Sequence, residues 1–196
     1  SFPTALAVPR MTEGFTSSLF DYASGDSGEA LPNGQHQRNF IFVHPQDGKN
    51  GYWALFDEVA ATTPAITTAN VLLHPNSDSY SAIASNQEYQ WKITGPFKQQ
   101  TKDTYINIFL GTTPSSVLLK DSVFAQGSGY LVNKYLDSTY PTNSSGKANI
   151  ATILFPHDAS HSKAAMSRLA GSNYSGVSLN HGSSIIDVAL ANSSTG

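Results

Sequence analysis

Hydrophobic positions along this chain recur in short runs, and several of the runs have period two. In TYINIFLG, 104–111, the residues Tyr105, Asn107 and Phe109 alternate with Ile106, Ile108 and Leu110. Successive side chains of an extended strand point to opposite faces, so this pattern predicts a strand. Similar runs are RNFIFVH (38–44), GYWALFDEV (51–59), NVLLH (70–74), EYQWKIT (88–94) and SSVLLKDSVF (115–124). GYLVNKY (129–135), ANIATILF (148–155), YSGVSLN (174–180) and SIIDVALA (184–191) follow. Between them stand PQDGKNG, HPNSDS, GTTPSS, YPTNSSGK and NHGS, segments of turn-forming residues. Many short strands with this punctuation predict an all-β, antiparallel β-sandwich. The helical patterns that parallel βαβ units require between strands are missing. One segment, PHDASHSKAAMSRLA (156–170), predicts a loop with one or two helical turns. Residues 1–37 hold apolar residues but show no clean period, and DYASGDSGEALPNG within them reads as loop. No internal repeat or linker divides the chain, so one domain over 1–196 is expected.

Composition narrows the class. Charged residues make up 13 % of the 196, about half the usual quarter, which excludes a charge-rich disordered tail or a long solvated helix. Serine, threonine, asparagine and glutamine carry the polarity instead, as is common in extracellular β proteins. Net charge is −3 without a Lys/Arg run, so no nucleic-acid partner is expected. The absence of cysteine excludes disulfides, thiolate metal sites and cysteine nucleophiles but does not fix a compartment. No apolar run reaches membrane-spanning length, so no membrane partner is expected. SFPTALAVPR, the first ten residues, has neither an initiator Met nor the layout of a signal peptide and reads as a mature or cut end.

Candidate chemistry centres on Asp57. Strand parity places it on one face with Trp53, Leu55 and Val59, so it either sits at the strand's end in water or is buried with a partner, since a buried carboxylate without one is too costly to keep. NVLLH ends on His74, on the same face as Leu72. Asp57 and His74 are therefore candidates for an ion pair, a hydrogen-bonded pair or two ligands of a divalent metal. The hydrogen-bonded pair needs nothing further. Tyr89 and Trp91 share a face in EYQWKIT and fit either a core or a platform for sugar rings, whereas Trp53 reads as core. His157 and His161 are four apart, but no glutamate lies between them and Pro156 precedes them, so a solvated loop is expected. No G-x-S-x-G or phosphate-binding loop occurs, and Gly127-Ser128-Gly129 reads as a turn. Asn143, Asn173 and Asn192 head N-x-S/T triplets, acceptors only in a eukaryotic secretory pathway.

Several stretches occur in a telling order. A Gly/Asp/small-residue stretch covers 21–30, and Arg38 leads a strand. One strand ends in Asp57 and another in Leu73-His74, and Pro156 follows the apolar strand that closes on Phe155. In this order the chain resembles the β-sandwich portion of the heparinase II/III-like polysaccharide lyases. The resemblance implies a supersandwich-like fold with little helix. It also implies a parent enzyme that cleaves uronic-acid-containing polysaccharides by β-elimination. In that family a base removes the C5 proton and an acid assists the leaving oxygen. Those groups lie largely on an N-terminal α/α toroid, which this sequence does not contain. The chain would then be the C-terminal part of a secreted or periplasmic lyase, with the toroid of the same parent and an acidic polysaccharide as its partners. By itself it would not be catalytic. The substrate-binding candidates are Arg38 and Asn39, at positions that the resemblance matches, with Tyr89 and Trp91 as the candidate platform; the resemblance implies Asp57 and His74 as ligands of a structural zinc. Asn39 stands where relatives commonly carry histidine, which leaves zinc poorly held. The expectation is thus a buried Asp57–His74 contact, with zinc as its metal form. The rival readings are a stand-alone carbohydrate-binding module using Tyr89 and Trp91, and a structural surface domain.

Overall fold

The computed structural model describes residues 9–31, 33–75, 79–84, 87–93, 101–126, 129–172, 174–182 and 186–192. Its strands are β1 (Arg10–Thr16), β2 (Phe20–Asp26), β3 (Gly34–Val43), β4 (Tyr52–Ala61), β5 (Thr68–Leu73), β6 (Ser79–Ala84) and β7 (Glu88–Ile93). They continue as β8 (Thr104–Leu110), β9 (Ser116–Gln126), β10 (Gly129–Pro141), β11 (Lys147–Asp158), β12 (Ala165–Ala170), β13 (Tyr174–Asn180) and β14 (Ile186–Asn192). A large sheet runs in the order β1-β2-β3-β4-β11-β8-β7-β6, and two small sheets run β5-β10-β9 and β12-β13-β14. Every pairing of these strands is antiparallel. The all-β sandwich expected from the pattern is what forms. No helix of the described residues is long and apolar enough to cross a membrane.

Pleat and register explain the layering. Asp57 lies opposite Arg38 on β3 and Ile150 on β11, while Phe56 lies opposite Asn39 and Ala151. One face of the large sheet carries Tyr89, Trp91, Ile108, Leu110 and Ile150. It packs on β5-β10-β9 through Leu136, Tyr140 and Val71. The other face carries Tyr52, Phe56, Phe109, Ile153 and Phe155, and packs on Val177 and Leu179 of β13. The central strands are therefore buried on both sides, which is why 51–59 and 148–155 read as nearly continuous apolar runs. No side chain of β2 or β3 belongs to the cores beneath β5-β10-β9. That part of the large sheet is left half-open.

Two expectations need correction. Residues 10–26, which show no clean period and include the loop-like 21–26, form β1 and β2; β1 is exposed throughout, so its sequence has no buried face to generate an alternation. Within 156–170 there is no helix. β11 runs on to Asp158, and β12 pairs with β13 from Ala165 opposite Asn180 to Ala170 opposite Ser175. Met166 packs against the core and Arg168 Nε donates to the Leu110 carbonyl at 2.7 Å. These contacts with other strands override the modest helix propensity of the segment. Among the described residues, helix is confined to one 3₁₀ turn at Gly28–Ala30.

Candidate functional site

The β3–β4 register aligns His36, Arg38, Phe40 and Phe42 opposite Val59, Asp57, Leu55 and Trp53. All eight side chains share one face, because alternate residues of paired strands do. The Asp57 side chain is fully buried. Arg38 donates to it in a fork, Nε to Oδ1 at 2.6 Å and Nη2 to Oδ2 at 3.0 Å, and His36 Nε2 lies 2.6 Å from Oδ1. Bidentate guanidinium–carboxylate pairs are among the stronger polar contacts in proteins. Burial pushes the Asp57 carboxyl up, but the hydrogen bonds and charges of His36 and Arg38 outweigh it and hold the group below its ordinary value. The carboxylate among apolar neighbours has its partners on the adjacent strand.

His74 is not among them. It follows β5 in the facing small sheet, is exposed, and stacks on Tyr135 with ring centroids 4.4 Å apart. Val71 packs into the core and Leu73 against it, so Leu72 and His74 point outward. The zinc version fails on chemistry as well. Both Asp57 oxygens are engaged by a guanidinium, which would repel a divalent cation placed there. Among the described residues no group of three or more His, Cys, Asp or Glu is placed to hold a metal. His157 and His161 do not converge either. His157 Nε2 lies 2.8 Å from Asn107 Oδ1, and His161 pairs with Asp158 at 3.1 Å.

The substrate-binding candidates separate. Arg38 lines a cavity of about 520 Å³ together with His36, Leu31, Asn33, Val59 and Ile66. Arg38 and His36 are the ionisable groups among its lining residues, so it joins apolar walls to a polar corner in which the guanidinium is paired with Asp57. Asn39 points to the other face, where it accepts from the Tyr22 hydroxyl at 2.8 Å. Tyr89 and Trp91 are core: Trp91 is 0 % exposed and its Nε1 donates to the Lys134 carbonyl at 3.2 Å. A platform needs an open ring face, and Trp91 offers none.

The open aromatic face lies elsewhere, and the sequence reading missed it. Trp53, read as core, is half-buried and stacks on Phe42 at 4.9 Å with the ring planes 22° apart. Phe42 also lies 5.4 Å from the His44 ring. His44 Nε2 pairs with Asp21 Oδ2 at 3.0 Å, and this contact raises the His44 pKa. The available signal was spacing: His36, Arg38, Phe40 and Phe42 are each two apart in a strand, and Phe42 and Trp53 flank one turn. Of the remaining readings, Asn143 Oδ1 accepts from the N–H groups of Ser145 and Lys147 in the β10–β11 turn. Asn173, the side chain of Asn192 and residues 127–128 lie outside the described residues.

No family model and no curated protein matches the sequence. Solved structures do match. The heparan sulfate lyase HepC from Pedobacter heparinus aligns with a TM-score of 0.67 at 14 % identity, over 96 % of this chain and 28 % of that one. A heparinase III structure aligns with a TM-score of 0.57 at 11 % identity, over 95 % of this chain and 27 % of that one. The chain thus spans little more than a quarter of the length of these lyases. Its fold is that of a β-sandwich found in heparinase-like lyases, in agreement with the resemblance read from the motif order.

Proposed function

We propose that the chain, as one domain over 1–196, is the β-sandwich of a polysaccharide lyase that cleaves uronic-acid-containing polysaccharides by β-elimination. The observation that carries this reading is the fold match to heparan sulfate lyase HepC over 96 % of the chain. In this reading the sandwich packs against an α/α toroid of the same secreted or periplasmic parent and presents the β3–β4 strip to the polysaccharide. Arg38, pinned by Asp57 and backed by His36, meets a carboxylate or sulfate. The Trp53–Phe42 pair meets the apolar face of a sugar ring. This is binding chemistry. β-Elimination also needs a base at C5 and an acid at the leaving oxygen, converging on one sugar, and those belong to the toroid. The rival carbohydrate-binding module built on Tyr89 and Trp91 loses its platform to the core.

The test is the rise in ultraviolet absorbance from unsaturated uronate, with heparan sulfate, chondroitin sulfate, hyaluronan and alginate as substrates. The parent protein should turn over at least one of them, and the isolated chain none. In the parent, Arg38→Lys keeps the charge but loses the fork. It should lower kcat/KM about ten- to a hundredfold, the ~1.5–3 kcal/mol of a hydrogen bond to a charged group. Trp53→Ala should lower it about two- to tenfold, in line with the ~0.5–1.5 kcal/mol of an aromatic contact. A parent reading frame without a toroid region would overturn the proposal. So would turnover by the isolated chain that is lost on mutating His44.

A further inference from the structure

A second cavity, of about 470 Å³, lies between the turn joining β3 to β4 and strand β14. Its buried end is made by Tyr52, 3 % exposed, and His181, whose side chain is 6 % exposed. His181 Nε2 donates to Asp187 Oδ2 at 3.0 Å, and the Tyr52 phenol lies within the field of the same carboxylate. The His181 ring is wedged against Tyr52 and Phe155, with centroids 6.2 and 6.0 Å away. Burial and the Asp187 charge push the Tyr52 ionisation far up, so Tyr52 remains a donor at any ordinary pH. Asp187 is thus gripped from below, with its remaining lone pairs free to accept.

The walls differ in character. Leu19, Ile186 and Val188 line the cavity together and are each more than half exposed, a clustering of apolar surface of the kind found at binding grooves. Lys49 and Asn50 stand beside them from the turn. No carboxylate partner for Lys49 occurs among the described residues, and the Asn50 amide reaches only the His161 carbonyl, at 3.5 Å. The lining is slightly acidic: Lys49 is offset by Asp47, Asp187 is held by His181, and His44 is turned to Asp21. The volume falls within the ~300–1,000 Å³ of ligand cavities, which combine apolar walls with a few convergent polar groups.

We propose that this cavity binds one uncharged sugar unit of a glycan. The C–H face of the ring would lie on Leu19, Ile186 and Val188, and its hydroxyls would bond to Asp187, Asn50 and Lys49. An acidic sugar fits less well, since its carboxylate would meet Asp187 and Asp47 with only Lys49 to offset them. The site is distinct from the β3–β4 strip with Arg38, and does not depend on the lyase reading.

The test is a titration of the 196-residue chain with cellotriose, triacetylchitotriose and triguluronate, followed by backbone amide shifts. At least one uncharged trisaccharide should shift the amides of Leu19, Asn50 and Val188 and leave those of Phe42 and Trp53 in place. Asp187→Asn and Asn50→Ala should each raise Kd at least tenfold; Asn50→Ala lies in the turn and keeps the buried cluster intact. Four outcomes would overturn the site: no shifts at the solubility limit, shifts confined to the β3–β4 strip, unchanged Kd in both variants, or tighter binding of triguluronate in this cavity. None of these depends on whether the parent is a lyase, which the absorbance assay decides separately.

Discussion

Trp91→Ala is expected to lower the stability of the chain by about 3–5 kcal/mol, the usual cost of emptying a large aromatic site in a core. Trp91 is completely buried and packs with Tyr89, Ile108, Leu110 and Leu136 between the large sheet and β10. Its removal leaves a cavity and takes a donor from the Lys134 carbonyl. Against a typical total of about 5–15 kcal/mol, this is a large fraction. The measurement is the shift in urea midpoint with the slope unchanged. Trp53→Ala should cost less than half as much, because Trp53 already faces solvent on one side. A Trp91→Ala chain that keeps its midpoint yet loses saccharide binding would return Trp91 to the role of a platform.

Asp57→Ala should rank next, at about 2–4 kcal/mol. Removing one member of a buried charged pair strands the others. Here the cost is tempered because the His36 and Arg38 side chains are 30 % and 37 % exposed and water can solvate them. Arg38→Ala strands the other side of the pair, leaving a fully buried carboxylate with His36 as its remaining partner. The pH dependence follows from the lowered Asp57 pKa. A carboxyl held below its unfolded value of about 3.9 contributes stability that is fully present above that value. The contribution disappears as the pH falls through the lower folded-state value. Asp57→Asn should therefore flatten the acid limb of the stability curve below about pH 4. An unaltered acid limb would mean that the Arg38–His36 contacts do not hold the carboxylate.

Much of the architecture was legible residue by residue. The period-two runs and their Gly/Pro/Asn/Asp punctuation identify most of the strands, because side-chain parity and turn chemistry are local. Where a strand lacks a buried face, as in β1, or is short and rich in helix formers, as in β12, the local signal vanishes or misleads. The demand for a partner at Asp57 was legible too, since it follows from one carboxylate in an apolar run. Its identity was not.

What the sequence determined by itself is the all-β class, the need of a buried Asp57 for a partner and the lack of cysteine chemistry. Tertiary structure alone decided the pairings and the open faces. NVLLH contains consecutive apolar residues, so its inward parity was ambiguous, and the sheet that received β5 sent His74 outward. EYQWKIT and GYWALFDEV each carry a tryptophan in an apolar strand, and nothing local separates them. One lies beneath β10 and the other beyond the reach of the small sheet. Burial of a residue depends on which strands, far away in sequence, come to lie over it, and that is set by sheet order and register, not by its neighbours in the chain.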